Sequence, residues 1–207
     1  QVSWDDVQTS IDRLNELVPG LAAGLPSEAQ WEHACRAGTS TPFSFGENVT
    51  PQTVNYNGRF PYAGGPSGQY RGRTVSVRSL PSNPWGLYEM HGNVLEWCAD
   101  WYGDYSGGPQ IDPFGPSKGD ARVQRGGSCN DGGGHCRAAG RNGGEPHERD
   151  DLIGFRLAPG QRRGPAGQEA ERRAAWQAQA DRADQAVGGE PGGRGTKRGT
   201  RERSTKL

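Results

Sequence analysis

Val7, Ile11 and Leu14 stand three to four positions apart on a polar background, the spacing that places apolar side chains on one face of a helix. Ser3 precedes Asp6 by three positions as a capping box, and Pro19-Gly20 closes the run, so the pattern predicts a first helix between them. Ser27 and Gln30 repeat the device. Trp31, Ala34 and Cys35 then form the inner stripe of a second helix, with Gly38 as its stop. Period-two alternation in the stretches 121–126 and 153–157 predicts two strands. From Thr39 to Ser82, frequent Gly, Pro and Asn break up runs such as Thr74 to Val77, which alternate too briefly for a large sheet and read as ordered loop. Between the two predicted strands, Cys129 to Leu152 is glycine-rich and polar, and no internal repeat is present.

With 34 glycines in 207 residues and 31% hydrophobic positions, the chain suits one loop-rich domain with an appendage rather than a helical bundle. No apolar run approaches the roughly 18 residues that cross a bilayer, so no membrane span is expected. Gln1 opens no recognisable signal sequence, which leaves the compartment open. Formal charge is zero, but the residues beyond Pro159 are predominantly basic, which makes the part before them acidic. Residues 1–158 read as the domain and 159–207 as a Gly/Arg/Ala-rich tail. Almost no large apolar side chain in that tail can offset chain entropy, so it is expected to be disordered, with a transient helix around 169–186. Its arginines lack the interleaved aromatic residues of a single-strand platform, which makes nucleic acid an unfavoured partner.

Candidate chemistry is densest in Pro84 to Trp101, where aromatic anchors, Glu89, Glu96 and a Gly92-Asn93 turn lie together. Carboxylates and free carbonyls around such a turn can converge on a hard cation. Equally, the acids can be solvated and the tryptophans can fill a core. Cys35, Cys98, Cys129 and Cys136 have no Cys-x-x-Cys spacing, which disfavours structural zinc.

Taken with Leu25 to Glu32, Arg125-Gly126-Gly127-Ser128 and Gly154-Phe155-Arg156, the central segment resembles the formylglycine-generating enzymes, or sulfatase-modifying factors. The resemblance runs from about Val2 to Ala158. The family's first strands, which precede a segment like Val2 to Asp5, are missing, so the chain reads as a domain without its beginning. The resemblance implies an α+β, C-type-lectin-like fold of the formylglycine-generating-enzyme type: a small twisted antiparallel sheet, two helices and long loops. It implies calcium at the side chains of Glu89 and Glu96 with the carbonyls of Gly92 and Val94. A second calcium set would use Asn55 and the carbonyls of Tyr56 and Tyr70, with Gly68 where the family carries an aspartate. It also implies a Cys35–Cys136 disulfide, against which two free thiols in a reducing compartment stand as the alternative.

Family members bind copper(I) through two cysteines five apart after Arg-Gly-Gly-Ser, as suits a soft cation, and oxidise a substrate cysteine to formylglycine. Counted from Ser128, these positions fall on Asp131 and Cys136, with Cys129 two residues before the first. Cys136 and Ser128 are thus the candidate catalytic residues, although a serine after two glycines is equally a turn former. Leu95 stands where the family usually has a groove tryptophan. Asp131 and Leu95 both count against the parent reaction. The rival reading is a monomeric binding module for a protein or peptide ligand, because variable proteins of diversity-generating retroelements resemble the same domain. Its ligand-binding residues would be Asn130, Asp131, His135 and Asn142 in an exposed late loop.

Overall fold

The computed structural model describes residues 1–159; the predicted disordered tail and transient helix lie outside the described residues. Helix α1 spans Trp4–Leu17, and its capping box is formed in both directions: the Ser3 hydroxyl accepts from the Asp6 amide, and the Asp6 carboxylate from the Ser3 amide. Its stripe buries Val7 and Ile11. Helix α2, Glu28–Arg36, follows the two-residue strand β1, Ala23–Gly24, and is capped in the same way by Ser27 and Gln30. It ends one residue before the predicted stop, because Ala37 itself takes the left-handed conformation (φ 48°) and Gly38 continues the turn (φ 87°).

The main sheet has four strands in the order β4-β3-β2-β5. They are β2 (Leu95–Trp101), β3 (Arg122–Arg125), β4 (Arg141–Gly144) and β5 (Ile153–Gly154). A separate pair joins β1 to β6, Ala158–Pro159, in antiparallel register. The main sheet is mixed rather than antiparallel. β2 runs antiparallel to β3, but Leu95 pairs in parallel with Ile153, because the late loop carries the chain back across the sheet before β5. The predicted strand over 153–157 contributes only its first two residues. The glycine-rich loop in turn yields β4, which pairs residue for residue with β3 from Arg122↔Gly144 to Arg125↔Arg141. Between Thr39 and Ser82 the described residues hold turns and isolated bridges and no named strand, as the Gly/Pro punctuation predicts.

Three apolar clusters hold these elements together. Trp31 and Cys35 of α2 pack with Met90, Cys98, Val123 and Ala138. Val7 and Ile11 of α1 pack with Leu25, Trp97 and Ile153. Phe43, Val49, Val54 and Tyr56 from the long loop enclose Cys136. Strand β2 therefore has one tryptophan-bearing face on α1 and the other on α2. No helix among the described residues is long and apolar enough to cross a membrane.

Candidate functional site

The turn before β2 is fixed by backbone contact. Gly92 bridges Asn55 in parallel, and a Cβ at Gly92 would sit 2.3 Å from the Asn55 carbonyl oxygen, so only glycine fits this approach. Asn93 follows with φ 69°, donates its amide to that same carbonyl at 2.8 Å, and accepts at its side-chain oxygen from Asn55 Nδ2 and the Val75 amide. The Gly-Asn step is thus the predicted turn, but its side chain ties three loop segments together instead of facing solvent.

Glu96 lies on β2, 5% exposed, and its carboxylate is fully engaged. Arg156 donates from Nε and Nη2 to Oε2 and Oε1, both at 2.6 Å, and Trp31 Nε1 donates to Oε2 at 2.7 Å. Arg156 Nη2 also donates to the Tyr88 carbonyl. Glu89, at positive φ, accepts the Arg78 amide on both oxygens. The first expected calcium set therefore does not fit: a cation at Glu96 would have to displace a bidentate guanidinium that already neutralises it. Among the described residues no three His, Cys, Asp or Glu side chains gather as a metal cluster. The second set differs. Asn55 is buried, its Oδ1 has no hydrogen-bond partner among the described residues, and an isolated bridge pairs Tyr70 with Asn57, two positions on.

The Arg-Gly-Gly-Ser loop follows β3. Ser128 is buried, and its amide and hydroxyl both donate to Asp131 Oδ2 at 2.8 Å, while its Oγ accepts from the Asn130 amide. This is the turn-forming alternative of the serine. Asp131 is accordingly held as the turn's acceptor. Cys136 lies inside the Phe43 cluster, and burial pushes its thiol well above the ordinary cysteine range, with Asp131 and Cys129 adding to the effect. Cys129 is buried as well and is likewise raised by burial.

The expected Cys35–Cys136 bridge is not formed; all four cysteines are free thiols. The two side chains enter different clusters, Cys35 beside Ala138 and Cys136 beside Tyr56. His91 stands between them. Its Nδ1 is 2.7 Å from the Cys136 carbonyl, which can only accept, so Nδ1 carries the proton and Nε2 is an acceptor. Nε2 receives the Ser44 amide at 3.1 Å and the Ser44 hydroxyl at 3.0 Å, with Cys35 Sγ at 3.6 Å. Burial lowers the imidazole to a pKa of about 4, against the raising effect of the Cys136 carbonyl. His91 is a neutral pin between two loops and α2, a role that its place in the central motif did not announce.

The late loop is partly buried. Cys129, Gly133, Cys136, Ala138, Gly140 and Gly144 are all buried. Asn130 and His135 remain exposed, and Asn130 accepts from the Tyr70 hydroxyl at 2.7 Å. Asn142 is exposed but belongs to β4, where it donates to Gln124. The four expected ligand-binding residues therefore divide between the loop after Ser128 and the edge strand of the sheet.

Sequence comparison agrees with this geometry. Residues 1–160 match the family model of the sulfatase-modifying factor enzyme 1-like domain. The chain belongs to this family. The formylglycine-generating enzyme of Streptomyces coelicolor is 38% identical over 169 residues, 76% of this chain and 51% of that protein. That of Bos taurus is 36% identical over 143 residues, 65% and 38% respectively. The chain thus spans about half or less of the length of these relatives. Among solved structures, PvdO from Pseudomonas aeruginosa superposes with a TM-score of 0.64 at 32% identity, over 75% of this chain and 59% of that one. Treponema denticola variable protein 1 does so with a TM-score of 0.57 at 32% identity, over 65% and 46%. The α+β architecture of two helices and a curled mixed sheet is that of these neighbours.

Proposed function

We propose that this is a sulfatase-modifying-factor-type domain that keeps the scaffold of the cysteine-oxidising enzymes without efficient formylglycine chemistry of its own. The observation that carries the reading is the state of the two copper positions. Cys136 is a buried thiol among apolar side chains, disfavoured as a thiolate, and Asp131 is a hard donor already engaged by Ser128. Copper(I) needs two soft donors, so these residues do not fit it. The test is direct. Protein incubated with copper(I), oxygen and a Cys-x-Pro-x-Arg peptide is expected to give aldehyde no more than about twice the protein-free background by mass spectrometry, a level unchanged in Cys136→Ser. Robust turnover lost in that variant would overturn the reading.

Calcium is proposed at the second set only, held by the Asn55 side chain with the carbonyls of Tyr56 and Tyr70. The unpartnered buried Oδ1 of Asn55 supports it, since such an acceptor is costly without a donor or cation. The ion would supply structural cross-linking between the loop segments. At a hundredfold excess over its dissociation constant, calcium is expected to stabilise the domain by about 2.7 kcal/mol, a rise in melting temperature on the order of 5 °C. Asn55→Leu should abolish the shift, and equal melting of the parent protein in calcium and in chelator would sink the proposal.

A second reading, a binding module for a protein or peptide, is favoured by the likeness to Treponema denticola variable protein 1 and by the exposure of Asn130 and His135 after the Arg-Gly-Gly-Ser loop. Like the first reading, it needs no metal at Cys136; it differs in assigning the exposed residues a ligand.

A further inference from the structure

A cavity of about 680 Å³ lies between the outer face of α2 and the loop 103–116. Ala29, His33 and Arg36 of α2 form one wall; Tyr105, Pro113 and Phe114 face them from the loop. The loop is pinned at both ends. Arg141 Nη1 donates to the Gly103 carbonyl at 3.0 Å, and the Gly115 amide donates to Asp100 Oδ1 at 2.7 Å. A Cβ at Gly115 would lie 2.5 Å from the Trp101 carbonyl oxygen, so that close approach requires glycine. Between the pins, the loop carries Tyr105 and Ile111 toward solvent, Ile111 at 94% exposure. A loop anchored this firmly, with apolar side chains left uncovered, is built like the wall of a site of the size small molecules occupy.

The charges of the cavity decide what it takes. Glu28 receives Arg141 from Nε and Nη2 at 2.6 and 2.8 Å, and the Tyr105 hydroxyl at 3.0 Å. Arg125, fully buried behind the floor, pairs with both Glu28 and Glu32. Arg36 holds Glu32 at 2.7 Å, and Asp100 accepts the amides of Glu28 and Gly115. Glu28 and Glu32 are thus held by three guanidiniums and Asp100 by two backbone amides, while Asp104 stands exposed at the rim. A charged ligand seated against the paired groups of the floor would have to break a partly buried pair and leave one partner uncompensated, which costs more than the new contact returns. A neutral one need only cover Phe114, Pro113 and the Tyr105 ring.

We propose that this cavity binds a neutral, flat, predominantly apolar small molecule. 2-Naphthol serves as the probe, with 2-naphthoate and 2-naphthylmethylamine as its anionic and cationic counterparts, in calorimetric titrations of the full chain. Naphthol is expected to bind at least tenfold more tightly than either charged analogue. Ala29→Trp, which fills the space, should weaken it at least tenfold, as should Phe114→Ala, which removes a wall without touching α2. Phe60→Ala, at an exposed aromatic outside this cavity, should leave it unchanged. Equal binding of the three probes overturns the ligand class. Absence of naphthol binding, or binding indifferent to both cavity variants, overturns the site. The oxidation assay with the cysteine peptide reads a different region, so the two proposals fail independently.

Discussion

Arg156→Met is expected to lower the unfolding free energy by about 3 kcal/mol, because it leaves the Glu96 carboxylate buried with Trp31 Nε1 as its remaining donor. Arg156 is about a quarter exposed, which places the effect at the lower end of the range for broken buried pairs. Its guanidinium also joins the Tyr88 carbonyl to β2, so the loss reaches the turn before the strand. The double variant Glu96→Leu/Arg156→Met should recover most of the deficit, since a buried pair replaced by apolar groups of similar volume is often close to neutral. Urea denaturation of the parent, the single and the double variant decides the matter. A single-variant loss below about 1 kcal/mol, the range of an exposed pair, would show that Glu96 is not desolvated as its burial requires.

The same pair shows where the sequence was legible and where it was not. Both helices were readable because their signals are local: a hydroxyl and an acid or amide three residues apart, then an apolar stripe. Strand β3 was readable for the same reason. Strand β2 was not, because both of its faces are covered, Trp97 by α1 and Cys98 by α2, so Glu96-Trp97-Cys98-Ala99-Asp100 shows no polar-apolar alternation. β4 was hidden by its composition, Arg-Asn-Gly-Gly, which only its partner β3 makes into a strand.

The site residues followed the same division. Gly92 and Asn93 could be placed at a turn from their types alone. That Glu96 would face Arg156 rather than a cation depends on the parallel β2–β5 pairing, a contact across 60 positions that no local pattern records. Family resemblance supplied the two cysteines as a bridge, whereas the fold turns Cys136 into the Phe43 cluster and inserts His91 between it and Cys35. The Arg125–Glu28–Arg141 network was likewise missed, although Glu28 stands at the first position of a helix whose partners arrive more than 90 residues later.

His91 gives the domain an acid sensitivity of defined sign. Its pKa is lowered from the reference value of 6.5 to about 4, first by burial, so between these values the unfolded chain binds a proton that the folded chain refuses. Stability is therefore full above the unfolded value and falls as pH drops from 6.5 toward 4, by about 3 kcal/mol over the window. Protonation would force Nε2 to become a donor against the Ser44 amide, which can only donate, so the loss has a geometric cause as well as an electrostatic one. Arg36 acts in the same direction on the imidazole. Asp6, whose pKa is lowered by Arg149, loses its contribution below the carboxylate reference value of 3.8, while Asp100, raised by burial, acts with the opposite sign, so the comparison with a His91 variant isolates the imidazole. Urea titrations at half-unit intervals between pH 4 and 7 should show the parent's stability falling more steeply than that of the variant, by up to one proton's worth of slope. His91→Gln, neutral at every pH, should be less stable at pH 7 but lack most of that slope. Parallel profiles for the two proteins would mean that His91 is not a buried neutral pin.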